Sequence, residues 1–326
     1  MKAGKLPESV LKRSVFKQLD KGCGIQGPAV GSDFSTLSAT AGERTVFTTQ
    51  TRCLGNSAVG GLSVYAALNN LYCSGAEAAG VLLNLLLPTS ATEHALREVM
   101  GQVRRVCAGE QVPVLGGHTE VTRSVREPVL TVTAVGTVKE NILQGMGKVL
   151  PGMDLVVTKW VALEGTAILA SEREETLLDR FSQPFLDRAK DFSLCLSIRS
   201  EAAVAAKSGA AAMHDISEGG IFGALWEMGQ SSGVGLEIDL KKIPIRQESI
   251  EICEFFDINP YKLVSGGSLL LAAADGNALV RALQKADIPA VVIGKATEGN
   301  DRVVCNGEER RFLETTQTDE LWKLDQ

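Results

Sequence analysis

The chain has 326 residues, of which 44% are hydrophobic and 22% charged, and its formal net charge is −6. This length suits two domains of ordinary size, and the composition excludes a disordered or fibrous protein. The negative charge and the aromatic fraction of only 5% disfavour a nucleic-acid-binding surface, so we expect no nucleic-acid partner.

The cysteines and the apolar runs indicate where the protein works. Seven cysteines occur without a Cys-x-x-Cys pair, which is typical of reduced core thiols rather than of a disulfide framework or a zinc site. The N-terminus lacks the apolar stretch of a signal peptide. The most apolar run, residues 81–87, is too short to span a bilayer. We therefore expect a cytoplasmic protein without a membrane anchor.

In the first half of the chain, the spacing of apolar residues predicts alternating helices and strands. A glycine-rich loop follows the first predicted helix. The predicted helices are one that begins near Pro7 and two over residues 60–74 and 92–108, and the predicted strands cover residues 44–50, 79–87, 112–115 and 129–138.

A connector rich in glycine and proline, residues 144–152, separates this half from a second unit of the same kind. We place the domain boundary inside it, with one domain over residues 1–148 and the other over 149–326. The alternation of elements predicts an α/β or α+β layered fold, and periodicity does not distinguish parallel from antiparallel pairing. Predicted strands cover residues 154–159, 211–215, 234–240, 269–274 and 290–295, and predicted helices cover 165–170, 198–208, 221–230, 247–256 and 277–286.

Polar residues cluster in three glycine-rich stretches, where backbone N–H groups can approach a phosphate. Each stretch also has a purely structural interpretation as a chain reversal. Asp33 and Asp215 are typical helix caps or turn residues, and Glu120 is typical of a solvated loop. Residue patterns alone thus lead to an anionic small-molecule site. The three stretches are residues 27–33 with Gly27, Gly31 and Asp33, residues 116–120 with Gly116, Gly117, His118 and Glu120, and residues 214–220 with His214 and Asp215.

Six stretches, taken in chain order, resemble the AIR synthase (PurM)-like superfamily, and within it the HypE-like hydrogenase-maturation branch. The resemblance extends over nearly the whole chain. The six are Gly31-Ser32-Asp33, Thr48-Thr49-Gln50, Asn69-Asn70-Leu71-Tyr72, Gly116-Gly117-His118-Thr119-Glu120, Thr158-Lys159-Trp160 with Glu164-Gly165-Thr166, and His214-Asp215-Ile216-Ser217-Glu218-Gly219-Gly220.

This resemblance implies a two-domain PurM-like α/β (α+β) fold. An N-terminal sheet domain would pair with a second copy into a dimeric barrel, and a C-terminal α+β sandwich domain would follow. The resemblance also implies ATP and Mg²⁺ as cofactors and a small-molecule substrate. The implied chemistry is ATP-dependent activation of an amide or related oxygen, or phosphoryl transfer.

The resemblance also assigns roles to individual residues. His118, Glu120, His214 and Asp215 would be catalytic, and Asp33 and Asp215 would hold the metal ion. The cofactor-binding positions would be Gly27, Gly31, Asp33, Gln50, Asn69, Asn70, Gly116, Gly117 and Lys159.

Two positions depart from the superfamily pattern. Gln50 and Asn70 stand where its members carry aspartates. A carboxamide oxygen can coordinate Mg²⁺ but brings no negative charge, so metal–phosphate binding should be weaker. Two hypotheses follow: an ATP-dependent ligase, lyase or phosphotransferase with a weakened metal site, or a nucleotide- or metabolite-binding regulatory protein that has lost turnover.

Overall fold

The computed structural model of the protein describes residues 35–38, 42–52, 56–142, 145, 149–315 and 318–324. These residues fall into two compact units, the first over the described residues up to 142 and the second over those from 145 onward. The helix predicted near Pro7 and the stretch with Gly27, Gly31 and Asp33 lie outside the described residues. The domain boundary at residue 148 stays a prediction.

The first unit is a five-stranded sheet in the order β1-β2-β5-β3-β4. The pairs are antiparallel except β3 with β4, which are parallel and joined by a helix. Its elements are β1 (Ser35–Ser38), β2 (Glu43–Arg52), α1 (Val59–Tyr72), β3 (Glu77–Pro88), α2 (Glu93–Glu110), β4 (Val114–Thr122) and β5 (Val129–Lys139), with a short 3-10 helix at Asn56–Ala58.

The two helices of this unit form for different reasons. Helix α1 is buried almost all round, as expected of a helix that packs on both a sheet and a neighbouring helix. Helix α2 is amphipathic, and the hydroxyl of Thr92 caps it by accepting a hydrogen bond from Ala95 N at 3.2 Å. Both predicted helices are confirmed.

The prediction of a turn at residues 116–120 is wrong. These residues lie in the middle of β4, which pairs with β3 from Val81 to Pro88 with one shift of register between Val81 and Leu82. A side chain on Gly117 would place its Cβ 2.0 Å from the carbonyl oxygen of Leu83. The glycine therefore permits a close approach of two strands rather than a chain reversal.

The second unit is a seven-stranded sheet in the order β12-β11-β8-β10-β6-β9-β7, in which only the β11–β8 pair is parallel. Its strands are β6 (Asp154–Thr158), β7 (Ala210–Asp215), β8 (Gly235–Asp239), β9 (Leu269–Ala273), β10 (Ala290–Thr297), β11 (Arg302–Asn306) and β12 (Glu309–Phe312). Its helices are α3 (Leu163–Glu172), α4 (Glu174–Leu177), α5 (Gln183–Lys190), α6 (Arg199–Lys207), α7 (Gly220–Ser232), α8 (Gln247–Phe255) and α9 (Gly276–Gln284).

Helices cover both faces of this sheet. Helix α7 packs on one face through a core that includes Leu155, Val157 and Leu270. Helices α6 and α9 pack on the other face, against β7 and β10. Five elements were not predicted, namely β1, β11, β12, α4 and α5. They are short, and β12 is exposed throughout. Short or fully exposed elements lack the regular spacing of apolar residues that marks a buried face.

Among the described residues, no helix combines the length and the apolar character needed to cross a lipid bilayer.

Candidate functional site

The ends of three neighbouring strands meet at one edge of the second sheet. Asp215, the last residue of β7, pairs with Leu269, the first residue of β9. Leu269 N donates a hydrogen bond to Oγ1 of Thr158, the last residue of β6, at 3.1 Å. The segments that follow β6 and β7 and the segment that precedes β9 therefore lie side by side. Such an edge is a common place for a ligand site in α/β proteins.

Buried polar contacts join these segments. Ile216 N donates to Ser268 O at 3.1 Å, and the Ser268 hydroxyl donates to Trp160 O. Ala162 N donates to the Ser265 hydroxyl at 2.6 Å. Because all of these groups are tied to main chain, the edge is held in one arrangement before any ligand arrives.

From helix α3, the Glu164 side chain supports residues 264–268, the loop that precedes β9. It is 3% exposed, and its Oε2 accepts a hydrogen bond from Gly266 N at 3.1 Å. Gly165 N donates to Val264 O at 2.9 Å from the same turn of helix. The 264–268 loop is thus fixed from α3 as well as from the strand ends.

The glycine turn after β7 depends on two left-handed residues, Gly219 with φ +86° and Gly220 with φ +62°. A Cβ on Gly220 would lie 2.6 Å from Tyr261 O, so the chain passes closely on that side. On the other side, Gly219 N donates to Oδ2 of Asp319 at 2.7 Å. Helix α7 begins here, so its partially positive end faces this turn.

The carboxyl group of Asp319 has a strongly raised pKa. Burial raises the pKa of Asp319 to about 7, and the nearby Glu218 carboxylate adds to the increase. Hydrogen bonds from the backbone N–H groups of Gly219, Leu321 and Val264 act in the opposite direction without cancelling it. This carboxyl group therefore changes charge near neutral pH.

His214 and Asp215, both predicted as catalytic, are buried, at 2% and 4% exposure. Successive side chains of a strand point to opposite faces. His214 faces α7, where its Nε2 lies 3.0 Å from Oε2 of Glu227. Asp215 faces the side of α6. The structure therefore places the two residues on opposite faces, and only Asp215 is on the side of Thr158.

Lys159 occupies an internal position. Its ammonium group donates to Cys195 O at 2.9 Å and to Ser197 O at 2.6 Å, and it lies 2.6 Å from Oε1 of Glu201. The Lys159 and Glu201 side chains are 11% and 6% exposed. Because an ammonium group has three hydrogens, these three oxygens leave none for a phosphate in this arrangement.

In the first unit, Gln50 lies on the helix-covered face of the sheet. Val46, Thr48 and Arg52 share this face by alternation and are buried. Asn69 and Asn70 are buried in the last turns of α1, at 2% and 4% exposure, and α1 packs against β2. Gln50 therefore lies on the face of the sheet that α1 covers, and Asn69 and Asn70 are buried within α1 itself.

His118 and Glu120 lie elsewhere in that unit. They are on the edge strand β4, where His118 Nε2 is 3.3 Å from Oε2 of Glu120 and both side chains are more than half exposed. By pairing with Asn84 and Leu86 they face away from α1. Gly116 and Gly117 are in the same strand. The first unit thus does not bring its predicted catalytic pair onto the face that holds Gln50.

Magnesium needs several oxygen ligands, and carboxylates favour its binding most. Within the part of the chain that the structure describes, no three Asp, Glu, His or Cys side chains converge on one point. Gln50, Asn69 and Asn70 offer neutral oxygens only. The described residues therefore do not fit a magnesium site by themselves, and Asp33 lies outside them.

Three parts of the strand-end site in the second unit were not predicted: Asp319, Glu227 and the 264–268 loop. The loop carried a usable signal, since Ser265-Gly266-Gly267-Ser268 before an apolar strand has the same form as the three stretches that were singled out. Glu227 and Asp319 carried no comparable signal.

Two family models match the chain. The N-terminal domain of AIR synthase related protein matches residues 31–138, and the C-terminal domain of the same family matches residues 151–306. The chain belongs to the AIR synthase related protein family. The family resemblance inferred from sequence is therefore confirmed.

Individual relatives are more distant. The chain is 27% identical over 267 residues to carbamoyl dehydratase HypE of Cupriavidus necator, which covers 78% of this chain and 73% of that protein. A crystal structure of HypE in complex with ATP has a TM-score of 0.72 at 14% identity, covering 96% and 95% of the two chains. The AaThiL structure complexed with AMPPCP and TMP has a TM-score of 0.68 at 20% identity, covering 88% and 92%. The predicted PurM-like mixed α/β fold with two sheet domains is confirmed.

Proposed function

We propose that this protein binds ATP and uses it to activate an amide-type or other oxygen of a small metabolite, as an ATP-dependent ligase, lyase or phosphotransferase. The family assignment covers both domains. Two structures that share the fold over at least 88% of this chain contain ATP or AMPPCP. We also propose a cytoplasmic location, where ATP is available.

The observation that carries this proposal is the strand-end cluster of the second unit. A buried carboxylate, Asp215, lies on the edge where the glycine turn and the 264–268 loop meet. Preorganised polar groups of this kind can hold a reacting oxygen without reorganisation. On the other face, Glu227 orients His214, and an imidazole oriented by a carboxylate is a common proton-transfer group in enzymes.

A second function is favoured by Gln50 and Asn70. Both positions present a carboxamide where the superfamily pattern has a carboxylate. A protein with this change would keep nucleotide or metabolite binding and lose turnover, which is the behaviour of a regulatory binding protein. The two functions share the binding step and differ in whether ATP is consumed.

Calorimetric titration with ATP, with and without Mg²⁺, tests the proposal. We expect the wild-type protein to bind ATP with little dependence on Mg²⁺. In the double variant Gln50→Asp with Asn70→Asp, we expect Mg²⁺ to tighten ATP binding by about tenfold or more, because two carboxylates restore charge at the metal. The matched control is Asn84→Asp, which adds a carboxylate on the opposite face of the same sheet.

Each outcome of this experiment is informative. Absence of ATP binding to the wild-type protein would contradict both functions. An unchanged Mg²⁺ effect in the double variant would show that positions 50 and 70 do not hold the metal. Release of ADP by the double variant but not by the wild-type protein would favour the regulatory function over the enzyme.

We also infer a homodimer formed through the first unit. Within the described part of this unit, β4 pairs only with β3 and is the last strand of the sheet. Val114, Leu115 and Val121 on this strand are 43%, 56% and 60% exposed. An open, apolar edge strand favours pairing with another chain. Sedimentation should give the mass of two chains, and Val121→Arg should shift it towards one; a monomeric wild-type protein would contradict the inference.

A further inference from the structure

The Asp319 side chain connects the last described segment, residues 318–324, to the glycine turn. Asp319 is 2% exposed. Its Oδ2 accepts a hydrogen bond from Gly219 N at 2.7 Å, and its Oδ1 accepts one from Leu321 N at 3.0 Å. Val264 N also hydrogen-bonds to this carboxyl group. One carboxyl group therefore joins the glycine turn, the 264–268 loop and the C-terminal segment.

The neighbouring acid attaches the same segment at a different place. Glu320 is 3% exposed, and its Oε2 accepts hydrogen bonds from Asn259 N at 3.1 Å and from Lys323 Nζ at 2.6 Å. Glu320 has no part in the contact with the glycine turn. Of the two adjacent acids, Asp319 contacts the glycine turn and Glu320 only anchors the segment. A substitution of Glu320 is therefore a matched control for a substitution of Asp319.

The turn needs support on the side where Asp319 lies. On its other side, Gly220 packs against the backbone of Tyr261 and Leu263. Two consecutive left-handed residues define a narrow backbone conformation, and glycine has the largest range of alternatives to it. The hydrogen bond from Gly219 N to the Asp319 carboxyl group restricts the turn to this one backbone conformation on the side opposite Tyr261.

We propose that Asp319 is a positioning residue, which holds the 217–220 turn against the 264–268 loop and thereby couples the shape of this strand-end site to docking of the C-terminal segment. The proposal rests on the proposed function only in treating the turn as part of a ligand site. It adds a residue outside both family-model matches, which end at residue 306.

The contact should depend on pH. The pKa of Asp319 is about 7 when the segment is docked, well above the usual aspartate value of 3.8. The docked state therefore binds the proton more tightly than the undocked state. Docking is strongest at low pH, weakens by about tenfold per pH unit as pH rises towards 7, and is constant above 7. The charged or titratable groups around it are Glu218 on the turn, Cys253 on α8, and Glu320 and Lys323 on its own segment.

Hydrogen–deuterium exchange of the peptide over residues 217–222 tests the proposal, measured between pH 5 and 8 and corrected for the intrinsic exchange rate. In the wild-type protein, we expect protection to fall with rising pH up to about 7. In Asp319→Asn, which keeps one acceptor and cannot ionise, we expect this pH dependence to disappear whatever the absolute rate. In Asp319→Ala, we expect exchange about tenfold faster than in the wild-type protein at pH 6.

Two controls separate this effect from general loosening. Glu320→Gln removes charge from the same segment and should leave the pH dependence of the 217–222 peptide unchanged. The peptide over residues 77–88 lies in the other unit and should be unchanged in every variant. Equal protection of residues 217–222 in Asp319→Ala and wild type, or an unchanged pH dependence in Asp319→Asn, would overturn the proposal.

The result is independent of the ATP titration, because no nucleotide is present. A protein that binds no ATP but shows the expected exchange would contradict the proposed function and leave the positioning role in place. A protein that binds ATP without the expected exchange would do the reverse.

Discussion

Residues 116–120 in the first unit and residues 214–220 in the second both combine Gly-Gly with histidine and an acid, yet their surroundings are opposite. The first stretch is an exposed edge strand in which His118 and Glu120 contact each other. The second is a buried strand end whose turn is held by Tyr261 on one side and Asp319 on the other. Similar patterns of residues thus form an exposed strand in one unit and a buried, hydrogen-bonded strand end in the other.

The largest expected loss of stability follows the removal of a buried positive charge from the second unit. Lys159→Met leaves Glu201 buried without its cation, which should lower the free energy of unfolding by about 3–5 kcal/mol. All three tryptophans of the chain, Trp160, Trp226 and Trp322, lie in this unit. Urea titration followed by tryptophan fluorescence therefore reports on its unfolding.

The control for this change is Lys295→Met. Lys295 is 67% exposed and lies 3.8 Å from Asp154, so its loss should cost less than about 1 kcal/mol. Equal effects of the two substitutions would contradict the internal position of Lys159.

A smaller effect is expected at the glycine turn. Gly220→Ala should lower the free energy of unfolding by about 2–4 kcal/mol, because it combines an unfavourable φ of +62° with a Cβ 2.6 Å from Tyr261 O. Gly233 has φ +66° but no atom within 4 Å of an added Cβ. Gly233→Ala should therefore cost only about 1 kcal/mol, and the difference between the two, from the same urea titration, measures the close packing of the turn.

The smallest effect is expected on β4. His118→Ala and Glu120→Gln should each change the free energy of unfolding by no more than about 0.5 kcal/mol, since both side chains are exposed. The measurement is hydrogen exchange of the peptide over residues 77–88, which contains the partner strand. A large loss of protection there would show that the pair supports the sheet.

Much of the fold follows from local sequence. Helix α2 and strand β5 have clear periods, and Thr92 marks the start of the helix, so these elements could be predicted. Strand β4 could not, because Gly116-Gly117 is typical of a turn and only the partner strand reveals that Gly117 permits a close approach to Leu83. Tertiary contact decided the outcome there.

The candidate site was less accessible to sequence reasoning. Strand alternation could have separated His214 from Asp215, because adjacent residues of a strand face opposite sides. Asp319 could not have been found, since it contacts Gly219 across 100 residues of sequence and its own segment shows no glycine-rich pattern. Contacts of this range depend on how the whole unit folds.

Hydrogen exchange with and without saturating ATP is the most direct test of where the nucleotide acts. If the strand ends of the second unit form the site, ATP should increase protection in residues 215–220 and 264–268 more than in residues 114–122. Protection confined to residues 114–122, or no change in residues 215–220 at a concentration where calorimetry shows saturation, would contradict the assignment of the site to these strand ends.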